Sequence, residues 1–76
     1  MKTLEDVRAH HIAEAQRYLA IGANWRRSAE AERARRDAPA NAVRVDRFAR
    51  AAALATEIAG EHVDLADACG AQRQAA

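Results

Sequence analysis

The chain has 76 residues, with 12 basic and 11 acidic side chains and a formal net charge of +1. This length allows one small domain, residues 1–76, and excludes a catalytic cleft between domains. Half of the residues are hydrophobic, but 22 residues are alanine and only 12 are Leu, Ile, Val or Phe. No apolar run is long enough for a transmembrane helix, and one cysteine excludes an internal disulfide. We therefore expect a cytoplasmic protein with no membrane partner.

Residues 4–36 are predicted to form the first helix. Thr3 is a suitable N-cap, and acidic residues follow it in the first turn. Apolar side chains occupy half of the helical circumference as far as Trp25 and Ala29, which is typical of an amphipathic helix. The segment 37–41 then interrupts the helix, because its proline disfavours helical geometry in the preceding residue.

Residues 42–69 are predicted to form the second helix. Asn41 is a suitable N-cap for it, and Gly70 lies where a C-terminal glycine cap is common. We expect the tail, residues 71–76, to fray. Together the two helices predict an all-α fold, a long antiparallel helical hairpin.

A three-helix bundle is the alternative fold. Its additional turn would lie at Gly22–Asn24, because glycine costs about 1 kcal/mol inside a helix and Asn24 could cap a new one. The apolar stripe nevertheless keeps its phase through this segment as far as Trp25 and Ala29. A turn would reset that phase, so the pattern favours the continuous hairpin.

Small residues recur every seven positions in both helices and predict a close approach of the two axes. A chain folded about Pro39 places residue i opposite residue 78 − i. In that register Trp25 faces residues 51–55, Phe48 faces residues 29–31, and His11 faces position 67. The small residues are Ala15, Gly22 and Ala29 in the first helix and Ala52, Ala59 and Ala66 in the second.

Each apolar stripe is wider than one neighbouring helix can cover. A second copy of the chain would cover the remainder, and two hairpins would then form a four-helix bundle. We therefore predict a homodimer. The larger side chains predicted to mediate self-association are Ile12, Leu19, Leu54, Ile58 and Leu65.

Catalytic motifs are absent from the sequence. It contains no Gly-rich phosphate loop, no Gly-x-Ser-x-Gly elbow, no Cys-x-x-Cys and no His-Glu-x-x-His. We therefore expect a non-enzymatic protein without cofactor or catalytic residues. The leading hypothesis is a protein-protein interaction module that serves as an adaptor, regulator or inhibitor of a larger partner.

Arginine is concentrated in residues 24–50, which we call the hairpin tip. This segment has eight arginines and four acids, a net charge of +4, whereas residues 51–76 have a net charge of −3. A basic tip could contact an acidic protein surface. Tyr18 and Trp25 add an aromatic stripe of the kind enriched at interfaces. The side chains predicted to bind a partner are Arg26, Arg27, Arg33, Arg35, Arg36, Arg44, Arg47, Tyr18 and Trp25.

Nucleic acid is the alternative partner for these arginines. Two features weaken this alternative. The sequence pI is about 8.0, whereas nucleic-acid-binding domains usually exceed 9. Acids also lie four residues from several arginines, as in Glu32–Arg36, Arg33–Asp37 and Asp46–Arg50, and can neutralise them on the helix surface.

A metal-binding bundle is the third hypothesis. His11, His62 and Cys69 lie on the apolar faces, Glu14 is a further candidate ligand, and imidazole and thiolate suit zinc. No paired-ligand motif such as Glu-x-x-His is present, which disfavours this hypothesis. The sequence therefore assigns no metal ligands.

Overall fold

Two long helices pack against each other as a hairpin in the computed structural model, which describes residues 2–35 and 40–75. Helix α1 spans Leu4–Ala34 and helix α2 spans Ala40–Ala75, and no strand occurs in the described residues. The predicted hairpin is confirmed. The three-helix alternative is wrong, because α1 continues without a break through Gly22.

A capping box begins α1, as the sequence predicted for Thr3. The Thr3 hydroxyl accepts a hydrogen bond from the Asp6 backbone N–H at 3.1 Å. The Asp6 carboxylate accepts one in return from the Thr3 N–H, also at 3.1 Å. This reciprocal pair satisfies backbone N–H groups that have no partner within the helix.

Asn41 terminates α1 rather than capping α2, so its predicted role as an N-cap is wrong. Helix α2 begins one residue earlier, at Ala40. The Asn41 amide donates to the backbone oxygens of Glu32 at 3.0 Å and Arg35 at 3.1 Å. The Glu32 oxygen also accepts from the Arg35 N–H at 3.2 Å, so the Asn41 amide adds a second bond there and joins the end of α1 to the start of α2. The rest of the predicted loop, residues 37–39, lies outside the described residues.

The C-terminal end of α2 also differs from the prediction. The helix does not end near Cys69 but continues through Gly70 to Ala75. The residues after Gly70 are mostly alanine and glutamine, which are strong helix formers. Gly70 itself lies beside the first turns of α1, since a methyl group built on it would be 3.9 Å from Arg8 Nε.

The helix ends at the turn lie two residues before the predicted ones, since α1 ends at Ala34 and α2 begins at Ala40. Contacts across the hairpin nevertheless fall on both sides of the predicted pairing of residue i with residue 78 − i. Trp25 lines a cavity with Ala51, Leu54 and Ala55, as predicted, and its ring also stacks on Phe48. His11 contacts His62 rather than position 67.

Small residues form the contact between the helices, as predicted. Gly22 lies so near α2 that an added methyl group would be 3.2 Å from Thr56 Oγ1 and 3.3 Å from the Ala52 backbone oxygen. Ala59, at 1% exposure, is among the most deeply buried residues. The buried small residues are Ala15, Gly22 and Ala29 in α1 and Ala52, Ala55, Ala59 and Ala66 in α2.

The molecule is a rod, with principal extents of 58 × 16 × 16 Å. Its accessible surface is 5678 Å², compared with about 4,600 Å² for a compact monomer of this mass. Within residues 2–35 and 40–75, neither helix has an apolar stretch that could cross a membrane.

Candidate interaction surfaces

The close contact of small residues leaves the larger side chains on two opposite sides of the hairpin. On one side they surround a shallow cavity of about 200 Å³. We call this side the aromatic flank. It consists of Tyr18, Ile21 and Trp25 from α1 and Ala51, Leu54, Ala55 and Ile58 from α2.

Aromatic rings extend the aromatic flank in both directions along the rod. Towards the tip, Trp25 stacks on Phe48 with ring centroids 5.4 Å apart. Towards the open end, where the chain termini lie, Tyr18 stacks on His62 at 5.8 Å. The guanidinium of Arg17 lies over the outer face of Tyr18, 4.9 Å from the ring centroid. Tyr18 and Trp25 were predicted as partner-binding residues, and the structure places both on this surface.

A wider groove of about 600 Å³ follows the opposite side of the hairpin. Alanines form its floor, and charged side chains from both helices form its rims. The alanine groove, as we call it, is lined by Arg26, Ala29, Glu30, Arg33, Ala49, Ala52, Ala53, Thr56 and Glu57. Arg26 also spans the two helices, since it donates to Thr56 Oγ1 at 3.4 Å.

The residues predicted for self-association divide between these two sides. Leu54 and Ile58 line the aromatic flank. Leu65 follows Ile58 by seven residues and so lies on the same side of α2. By the same spacing, Ile12 and Leu19 precede Arg26 and lie on the side of the alanine groove. A single flat interface therefore cannot cover all of them.

Bulky apolar side chains remain accessible on both sides of the rod. Leu54 is 57% exposed, Leu19 48% and Trp25 38%. No large side chain among the described residues is fully buried. The hairpin therefore buries its alanines and leaves its larger apolar side chains on the surface, which is the reverse of an ordinary core.

Several hairpin-tip arginines are already paired with acids. Glu32 lies 3.4 Å from both Arg35 and Arg44, although its Oε2 atom makes no hydrogen bond. The predicted Asp46–Arg50 pair is present at 2.9 Å. Arg33 lies on the rim of the alanine groove, Arg27 donates to Asn24, and Arg47 is exposed. Arg36 and Asp37 lie outside the described residues, together with the predicted pairs that involve them.

Two histidines, His11 and His62, contact each other across the hairpin near its open end. The predicted register did not pair them. His11 Nδ1 and His62 Nδ1 are 2.9 Å apart, and both side chains are half-buried. Cys69 and Glu14 do not join them in a cluster, and the described residues contain no group of three or more candidate metal ligands. Glu14 instead forms an ion pair with Arg17 at 2.9 Å.

Comparison with known proteins gives no relative for this chain. No family model, no curated protein and no solved structure matches it.

Proposed function

We propose that the chain is a non-enzymatic helical protein-interaction module that works as a homodimer. In this proposal two hairpins pack through their aromatic flanks into an antiparallel four-helix bundle. The observation that supports it is the large accessible surface, which exceeds that of a compact monomer by roughly 1,000 Å². A stable interface buries about 800 Å² of each partner, so the excess is the right size for one.

The aromatic flank is the better of the two sides for this contact. It presents branched aliphatic and aromatic side chains around a shallow cavity, whereas arginine and glutamate form the rims of the alanine groove. Interface centres are depleted in charge and enriched in aromatic residues. The flank also lies near the middle of the rod, so a two-fold axis through it overlays the full length of both hairpins.

The charge distribution favours antiparallel packing of the two copies. The hairpin tip has a net charge of +4, and residues 51–76, most of which lie towards the open end, have −3. Antiparallel packing places the basic tip of each copy beside the acidic open end of the other. Parallel packing would place like charges together.

Sedimentation equilibrium at micromolar concentration tests the proposal. The wild type should be a dimer. Leu54→Glu should weaken dimerisation at least about 100-fold, because it places a charge in a desolvated interface. Leu19→Glu is the matched control, since Leu19 has similar exposure but lies on the groove side.

The controls also separate the alternatives. A monomeric wild type would overturn the homodimer, and dissociation by Leu19→Glu alone would move the interface to the alanine groove. Salt-dependent binding of generic DNA or RNA by the monomer would favour the nucleic-acid alternative instead. The internal ion pairs of Glu32 and Asp46 with tip arginines argue against that alternative.

A further inference from the structure

The contact between His11 and His62 brings two strong metal ligands together from different helices. Their Nδ1 atoms are 2.9 Å apart. Without a metal, one ring donates a hydrogen bond and the other accepts it, which requires different tautomers in the two rings. If both rings carry their proton on Nε2, both Nδ1 lone pairs become available to an ion.

The separation of these nitrogens fits one metal ion. Two nitrogen ligands about 2.0–2.1 Å from an ion lie about 2.9 Å apart at a right angle and about 3.4 Å apart at the tetrahedral angle. The observed 2.9 Å is therefore the spacing of neighbouring ligands in a square-planar site. At a right angle, each nitrogen-to-ion direction lies about 45° from the line between the two nitrogens, so each ring turns from its hydrogen-bonded orientation to direct its lone pair at the ion.

Neighbouring rings hold the two imidazoles in place. The Tyr18 ring stacks on His62, with centroids 5.8 Å apart, and the His62 and His11 rings lie 5.2 Å apart. Within the described part of the chain, neither His11 nor His62 bonds to a carboxylate or to a backbone carbonyl. No acidic partner therefore competes for the Nδ1 atoms.

We propose that His11 and His62 form a two-imidazole site for a late first-row transition-metal ion, with Cu²⁺ preferred, that joins α1 to α2 near the open end of the hairpin. Copper is preferred because it forms the most stable complexes of the divalent series and favours square-planar geometry. The remaining coordination positions are open to water or to an external ligand. Both ligands belong to one chain, so the site needs no second copy, although His62 stacks on Tyr18 of the aromatic flank.

Thermal unfolding of untagged protein with added Cu²⁺ tests this site. Saturating metal should raise the melting midpoint by roughly 5–10 °C relative to protein in chelator, because the ion binds the folded hairpin and not the separated helices. Zn²⁺ should produce a smaller rise. Titration should give one Cu²⁺ per chain, and electron paramagnetic resonance should detect two coordinated nitrogens.

Glutamine variants identify the ligands. His11→Gln and His62→Gln should each abolish the metal-dependent rise, whereas His10→Gln should keep it. Melting in chelator measures the effect of each substitution on the fold separately from its effect on metal. No rise in the wild type, a rise retained in His62→Gln, or a rise lost in His10→Gln would overturn the proposal.

Discussion

Gly22 and Gly60 are both inside helices, but only Gly22 lies at the contact between them. A methyl group on Gly22 would be 3.3 Å from the Ala52 backbone oxygen, whereas one on Gly60 would meet nothing within 4 Å. Both substitutions by alanine gain helix propensity, and only one of them disturbs packing. Comparing the two substitutions therefore separates the effect of helix propensity from the effect of packing.

Gly60→Ala should raise the free energy of unfolding by about 0.5–1 kcal/mol. For Gly22→Ala, the free energy of unfolding should be equal to or lower than that of the wild type, because Ala52 and Thr56 must move to admit the methyl group. Urea unfolding followed by circular dichroism measures both values. Equal gains in the two variants would show that the axes separate without cost.

Residue patterns anticipated the helix contact better than the turn. The heptad spacing of Ala15, Gly22 and Ala29 predicted the buried contact correctly, because periodicity is a property of the whole helix. Asn41 was predicted as an N-cap because asparagine is common there. Its actual role depends on the carbonyls of α1, which the fold brings close and which no local sequence pattern can reveal.

At the scale of the helices, both helix ends at the turn lie two residues earlier than predicted. The prediction ended the first helix at Arg36 and began the second at residue 42, whereas α1 ends at Ala34 and α2 begins at Ala40. Helix termini are difficult to predict to within one or two residues, because the ends of helices fray. The predicted pairing of residue i with residue 78 − i holds only to within about five residues, as His11–His62 and Arg26–Thr56 show, which is why the sequence did not single out the His11–His62 pair.

The arginines of the tip should affect association more than folding. Replacing Arg33, Arg35 and Arg36 by glutamine lowers the net charge of the tip from +4 to +1. Glu32 keeps a second cation, Arg44, at 3.4 Å when Arg35 is replaced, so we expect the helices to remain folded in this variant. We expect weaker dimerisation with a flatter dependence on salt, and unchanged helicity by circular dichroism. Unchanged affinity at low salt would show that these arginines are merely solvated.

For the molecule as a whole, its elongation links fold and proposed function. A compact domain of this length has a radius of gyration of about 11 Å, whereas the hairpin has 17.2 Å. Two helices cannot enclose a core, so the larger apolar side chains have no interior to occupy. The width of the apolar stripes made this surplus predictable from sequence. The division of those side chains between two sides was not predicted, because it depends on which strip of each helix faces the other.

The antiparallel arrangement of the proposed dimer can be tested by charge inversion. In a fully overlapping antiparallel pair, α2 of each copy runs beside α2 of the other, with Leu54 near the two-fold axis. Glu61 of one copy then lies close to the height of Arg47 of the second copy. Both side chains are exposed, and within the described residues neither has an ion pair in its own chain.

Glu61→Arg should weaken dimerisation at low salt, and Arg47→Glu should do the same, because each creates like charges across the interface. The double variant should recover affinity close to that of the wild type, since it restores opposite charges in exchanged positions. Sedimentation equilibrium at low and high salt measures these constants, and the differences should shrink at high salt as screening increases. Additive losses in the double variant would contradict the antiparallel arrangement, because a parallel pair brings Glu61 beside no arginine of the tip.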